Sequence, residues 1–244
     1  MPRLKPVSGW VFGPTKIIAR EGYVLQHSST DKVAIWVCER LDKDQLSGTA
    51  ERNDKFLADP KLDIGKRAEK EDYKYSGYDT GHMHPAANQL KSQKLNDETF
   101  YLSNMAPQLA GLNRGIWRRL ENKCRKLIND GSFESLHIIS GGFFYDREEE
   151  NAATADGLIN YDQIGTNLVS VPTHFFKVVI GKKSGKWEAT GFVVEHKKYP
   201  SGYDLSRLIE PIDWIEARAF IDIMPKLNRL EAQRLESKKG TLWP

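Results

Sequence analysis

The densest concentration of reactive side chains is Tyr78-Asp79-Thr80-Gly81-His82-Met83-His84-Pro85-Ala86-Ala87-Asn88, where two histidines, an aspartate and an asparagine stand in a stretch with little core-forming character. A neutral imidazole titrating near pH ~6.5 can take a proton from water at physiological pH, so a histidine here could act as a general base. In an extended backbone His82 and His84 project to the same side, as a pair of metal ligands would. The following Pro85-Ala86-Ala87 offers no further ligand, and a loop histidine satisfied by backbone is the plainer reading of His84. A zinc hydrolase using the His-x-His pair is one functional alternative.

Downstream, Phe100-Tyr101-Leu102-Ser103-Asn104-Met105-Ala106-Pro107-Gln108 leads into Leu112-Asn113-Arg114-Gly115-Ile116-Trp117-Arg118-Arg119-Leu120-Glu121. Asn113 follows His82 by 31 positions and Glu121 follows Asn113 by 8. On a helix, Glu121 lies two turns beyond Asn113 and shares a face with Arg125 at i+4. By residue type alone, Asn113 fits a helix N-cap, and Glu121 with Arg125 fits a surface ion pair.

Taken together, these ordered segments resemble the DNA/RNA non-specific endonucleases, the ββα-metal (His-Me finger) nucleases of the endonuclease G type. The family signature is an Asp-Arg-Gly-His motif, a Phe-Tyr-Leu-Ser-Asn-x-x-Pro-Gln segment, and a helix that opens with Leu-Asn and carries Trp and Leu-Glu. Val171-Pro172-Thr173-His174-Phe175-Phe176-Lys177-Val178 matches a further segment, and the likeness runs roughly from Gly13 to Pro225. The resemblance implies His82 as general base and Asn113 as the single direct protein ligand of a divalent metal, which is reasonable for Mg²⁺ because it dehydrates reluctantly and keeps several waters. It implies that Glu121 receives hydrogen bonds from metal-bound waters, that Arg125 reaches Glu121 or a phosphate, and that Asn104 lies near the scissile phosphate.

Arg52 is the matching phosphate-binding arginine, Arg114 adds to the basic side of the helix, and Asp79 orients its loop through backbone amides. Thr80 departs from the family, which has arginine there. The missing guanidinium motivates a second alternative, a nucleic-acid-binding homologue with weakened catalysis.

The activity implied is metal-dependent, largely sequence-independent hydrolysis of DNA, and of RNA, to 5′-phosphate products. Mg²⁺ is the expected cofactor, with Mn²⁺ able to substitute. Substrate would be held by phosphate contacts, which carry little base information. A homodimer and an inhibitor protein are further partners of the family type.

The elements that must position these residues are legible from periodicity. Strand-like runs occur at Tyr23 to Gln26, Val33 to Arg40, Thr99 to Ser103, Leu136 to Ser140, Thr173 to Ile180 and Trp187 to Glu195, several apolar on both faces. Lys182-Lys183-Ser184-Gly185 reads as the turn of a hairpin. Ile116, Leu120, Cys124, Leu127 and Ile128 form an apolar stripe on a helix over Leu112 to Asp130, stopped by Gly131. Further helical patterns lie at Asp204 to Ile209, Ile212 to Phe220 and Lys226 to Ser237. Residues 41–98 are irregular, the expected place for chemistry. The fold class is α+β, a mixed, mainly antiparallel central sheet flanked by helices, with a ββα-metal finger; the chain is expected to be one domain over 1–244, with a core over 13–225 and a helical tail over 226–244.

Composition bounds the rest. Hydrophobic residues make up 39% and charged residues 28%, with Lys plus Arg 36 against Asp plus Glu 33, so any basic binding surface must be local. The longest apolar run, Val33 to Cys38, is far short of the ~18 residues of a membrane span. Two cysteines do not make a disulfide framework. The opening Met-Pro-Arg-Leu-Lys-Pro lacks a secretory apolar stretch. The expected compartment is the cytoplasm if Met1 is the native start, and organellar or extracytoplasmic if a targeting segment has been trimmed.

Overall fold

A computed structural model describes residues 1–4, 13–151 and 153–243. Seven antiparallel strands form the central sheet: β1 (Thr15–Ala19), β2 (Tyr23–Ser28), β3 (Ala34–Asp42), β6 (Ser135–Phe143), β7 (His174–Lys183), β8 (Lys186–Glu195) and β9 (Ile209–Glu210), in the order β9-β8-β7-β6-β3-β2-β1. Strands β4 (Asp79–His82) and β5 (Met105–Gln108) form a separate antiparallel pair. A π-helical turn, Leu112–Trp117, runs directly into α1 (Arg118–Asn129). Beyond the sheet come α2 (Ile212–Ala219) and α3 (Arg229–Glu236).

The continuous apolar runs form central strands because both faces are covered. Val37, Ile138, Phe175 and Val179 pack with Trp117, Leu120, Leu127 and Ile128 of the π-turn and α1. Their neighbours Trp36, Ile139, Phe176 and Val178 point the other way, against Ile212 and Ile215 of α2 and Leu235 of α3. Each such fully buried side chain contributes roughly 1.5 to 3 kcal/mol. The β7–β8 hairpin closes through Ser184 and Gly185, both at positive φ (49° and 77°), a type I′ turn whose twist matches the flanking strands.

Three sequence expectations differ from the structure. Thr99 to Ser103 is not a strand: Thr99 and Phe100 donate to carbonyls three residues back, and the segment's single bridge is Leu57 with Tyr101. Its apolar side chains are buried because the segment forms a wall, and burial alone cannot tell a wall from a strand. Asp204 to Ile209 is a 3₁₀ turn, Leu205–Leu208. In the C-terminal part only Arg229–Glu236 is helical, and the chain then returns so that Trp243 packs edge-on to Phe133. No helix among the described residues is long and apolar enough to cross a membrane.

Candidate active site

Strands β4 and β5 pair antiparallel, with Asp79 opposite Gln108 and His82 opposite Met105. Gly81 is required here: a Cβ would lie 2.1 Å from Oε1 of the buried Gln108 side chain. Together with the π-turn and α1 the pair forms a β-β-α unit, fastened by Trp117 Nε1, which donates to the His82 carbonyl at 3.0 Å. The helix is thus tied to the strand end that carries the imidazole.

His82 is 8% exposed, with its ring against Phe100 (5.0 Å, edge-on) and Phe56 (5.8 Å). Burial, reinforced by the positive charge of Arg52 and by His84, pushes its pKa down to about 3. The ring is therefore neutral at physiological pH. Nε2 is sealed from solvent without a hydrogen-bond partner, which leaves Nδ1 as the nitrogen available to the cleft.

That cleft has a volume of 480 Å³, and His82, Asn113, Glu121 and Thr80 all line it, with four arginines, Arg52, Arg114, Arg118 and Arg125. A larger cleft of 1370 Å³ lies at the end of the sheet, but six carboxylates line it against three lysine and arginine side chains, so it repels a phosphodiester. The smaller cleft has the opposite balance, with Asp79 and Glu121 its only carboxylates.

Asp79 accepts from Arg114 twice (Nη2 to Oδ1, 2.7 Å; Nε to Oδ2, 2.8 Å) and from Asn113 Nδ2 at 2.9 Å. Burial alone would raise its pKa; the Arg114 and Asn113 hydrogen bonds outweigh this and hold it below the usual carboxylate range. For Glu121 the balance is reversed. Burial pushes its carboxyl up, and the charges of Lys177 and Arg125 do not cancel the effect. Among the described residues neither Asn113 Oδ1 nor the Glu121 carboxylate accepts a hydrogen bond from any side chain or backbone group.

Arg125 is held from behind. Its Nη1 donates to Asn88 Oδ1 (2.8 Å) and its Nη2 to Asn122 Oδ1 (2.6 Å), while Asn88 Nδ2 donates to both oxygens of buried Glu39 (3.1 and 3.0 Å). His84 Nδ1 lies 2.8 Å from Glu39 Oε2. Lys177, 1% exposed, donates to Ser140 Oγ at 2.6 Å and stands 4.4 Å over the Trp117 ring.

The family model described as DNA/RNA non-specific endonuclease matches residues 11–230. The chain belongs to that family. It is similar to mitochondrial endonuclease G of Homo sapiens (36% identical over 217 residues, 88% of this chain and 71% of the relative) and of Caenorhabditis elegans (35% over 239 residues, 95% and 76%). A nuclease of Syncephalastrum racemosum is 35% identical over 235 residues, 93% of this chain and 73% of the relative. Among solved structures, an EndoG/EndoGI complex that addresses the mechanism of EndoG inhibition superposes with a TM-score of 0.82 at 30% identity, covering 91% of this chain and 90% of that one. The protein is a non-specific, metal-dependent endonuclease with an α+β fold.

In this DNA/RNA non-specific endonuclease, eight of the nine residues singled out in sequence line the cleft: His82, Glu121, Arg125, Arg52, Asp79, Thr80, Arg114 and Asn113. Asn104 does not. It is fully buried, donates to the carbonyls of His84 (2.9 Å) and Thr99 (2.8 Å), and accepts from His84 N (3.0 Å), so its amide clamps the loop behind the site. Asp79 bonds side chains of the helix, in place of the backbone amides expected.

The His-x-His pair is also corrected. The strand ends at His82 and the chain bends at Met83 and His84, so the two rings diverge and His84 faces Glu39 and Tyr23 (5.0 Å between rings). Among the described residues the only grouping of three metal-binding side chains, Asp213, Glu216 and Glu236, contains neither histidine. Asn113 is no N-cap, since it lies within the π-turn that Gly111 caps and its amide nitrogen reaches Asp79, and Arg125 contacts Asn88 and Asn122 in place of an ion pair with Glu121. Sequence reasoning missed Glu39, which shows only as a charge interrupting an apolar strand run, and gave no individual role to Asn88, Lys177 or Arg118, although Asn88 closes the reactive motif and Lys177 lies in the matched segment 171–178.

Proposed function

We propose that this endonuclease hydrolyses DNA, and RNA, with His82 Nδ1 as the base for the attacking water and with Asn113 and Glu121 holding a divalent cation, Mg²⁺ or in its place Mn²⁺. The observation that carries this reading is the pairing, in one arginine-lined cleft, of a neutral imidazole with two oxygen ligands, Asn113 Oδ1 and the Glu121 carboxylate, that accept no hydrogen bond among the described residues. Hard cations take oxygen ligands, and an amide oxygen with a half-buried carboxylate whose burial outweighs the nearby charges of Lys177 and Arg125 fits one. When bound, the cation supplies a charge sink for the phosphate and for the departing oxygen.

His82 removes a proton from water through Nδ1; the water oxygen bonds to phosphorus, the P–O3′ bond breaks, and O3′ takes up a proton, leaving a 5′-phosphate and a 3′-hydroxyl. Asn113, held by Asp79, would contact the cation directly, and Glu121 would act through intervening water. The buried anchor of Glu39 and Asn88 keeps Arg125 turned into the cleft. The likeness to an EndoG/EndoGI complex supports a protein inhibitor as a partner, and a homodimer, the expectation from the family resemblance, would be supported by light scattering at about twice 27.8 kDa.

A plasmid-nicking assay with Mg²⁺, with Mn²⁺ and with chelator tests the reading. Nicking that chelator abolishes supports it. DNA binding without nicking in any metal would instead favour the weakened homologue.

A further inference from the structure

Of the four guanidinium groups in the cleft, three are committed. Arg52 pairs with Asp54 at 2.7 Å, Arg114 is forked across Asp79, and Arg125 is spread between Asn88 and Asn122. Arg118 is exposed, and among the described residues its guanidinium has no hydrogen-bond or ion-pair partner. Its place is set by the π-turn. The Arg118 N–H bonds to the Asn113 carbonyl five residues back, the wider repeat of a π-helix, and Gly115 leaves helical geometry (φ −103°, ψ −105°) to allow it. From Arg118 the regular helix of α1 resumes, and Glu121 follows at i+3 on the neighbouring part of the same face. The extra residue of the π-turn thus brings Asn113, Arg118 and Glu121 to one cleft.

We propose that Arg118 is the principal phosphate-gripping residue of this chain, placing its planar fork on the non-bridging oxygens of the scissile phosphate. The proposal rests on the endonuclease reading of this cleft and says which of its arginines meets the substrate. Arg114 would have to break a bidentate carboxylate pairing to do so, and its charge is already matched by Asp79. Arg52 is likewise matched by Asp54. Arg118 gives up no bond to any described residue, and its fork suits bidentate contact with phosphate. On the strand side the cleft presents Thr80, which has no charge, so the cation facing the phosphate comes from the helix.

The experiment compares Arg118→Gln, Arg118→Lys and Arg114→Gln. Duplex affinity is measured in chelator across a salt series, and nicking kcat and KM are measured in Mg²⁺. Arg118→Gln is expected to bind about 10-fold more weakly and to reduce the slope of log affinity against log salt by ~0.9, one phosphate contact. Its kcat/KM should fall about 10- to 100-fold with an unchanged melting temperature. Arg118→Lys should recover the salt slope while recovering only part of kcat/KM, because it keeps the charge and loses the fork.

Arg114→Gln should lower the slope by less than Arg118→Gln. An Arg118→Gln variant with wild-type affinity and slope, or an Arg114→Gln variant that loses as much as it does, overturns the proposal. Wild-type protein that binds but never nicks would sink the endonuclease reading alone, since the chelator titrations still rank the arginines.

Discussion

Asp79 Oδ2 accepts a hydrogen bond from Asn113 Nδ2 at 2.9 Å, and that contact decides which end of the Asn113 amide is left for a cation. A carboxylate only accepts, so the nitrogen must face Asp79 and the oxygen must face away from it. Asn113→Ala is expected to raise the Mg²⁺ concentration for half-maximal nicking and to leave the melting temperature nearly unchanged, since the residue caps no helix. Asp79→Ala, which frees the amide to rotate, should raise the same concentration by a smaller factor. A metal titration beside a thermal melt measures both; a lowered melting temperature with an unaltered metal response in Asn113→Ala would return it to a purely structural role.

His82→Ala is expected to lose ~10²- to 10⁴-fold in nicking rate, the usual worth of a positioned general base, with duplex affinity in chelator little changed. His84→Ala should fail differently. It removes one of the two partners of the buried Glu39 carboxylate, the other being Asn88, and should cost roughly 1 to 3 kcal/mol of stability. Chemical denaturation of the two variants separates these outcomes, and a His84→Ala protein as stable as wild type would contradict the pairing.

Two titrating groups of the site, Glu121 and His82, are displaced in opposite directions. The Glu121 carboxyl lies above its ordinary 4.5, whereas the His82 imidazole lies at about 3. On acidification from neutral pH the carboxylate therefore takes up its proton first, while the base is still neutral and competent. The acid limb of kcat/KM should belong to Glu121: activity rises as pH rises through its pKa, more metal moves the limb to lower pH by competing with the proton, and Glu121→Gln flattens it at a lower overall rate. A limb that persists near pH 6.5 in Glu121→Gln would show that the imidazole titrates normally.

Asn104→Ala deletes three buried hydrogen bonds and should cost about 2 to 4 kcal/mol of stability. Whatever activity survives should keep the wild-type metal requirement. A folded, fully stable variant with a lost rate would restore Asn104 to the chemistry.

Where both faces of a strand are covered the residues say so, and Phe175-Phe176 and Trp36-Val37 announced the central sheet. The edge strand Thr15–Ala19 buries only Ile18 and carries no such signal. Asp79–His82 is a four-residue polar strand whose one partner lies more than twenty residues on, so its extended backbone exists only because Met105–Gln108 is there to pair with it. The cleft residues were legible through ordered motifs. The support behind them was not, because Glu39, His84 and Asn88 meet only when β3 passes beneath the loop, and because a π-turn differs from an α-turn by a single residue.

Strands β1 to β3 pair with their neighbours in sequence, and so do β6 to β8, but β3 meets β6 only after residues 43–134 have been looped out, with Asp42 against Ser135. Closing a loop of that length costs ~4 kcal/mol of chain entropy before any contact is gained. The looped residues are the ones that build the cleft, and they lie over the seam they create. The site is therefore seated on the least local joint of the sheet, and Glu39 of β3, through Asn88 to Arg125, is the peg that fixes it there.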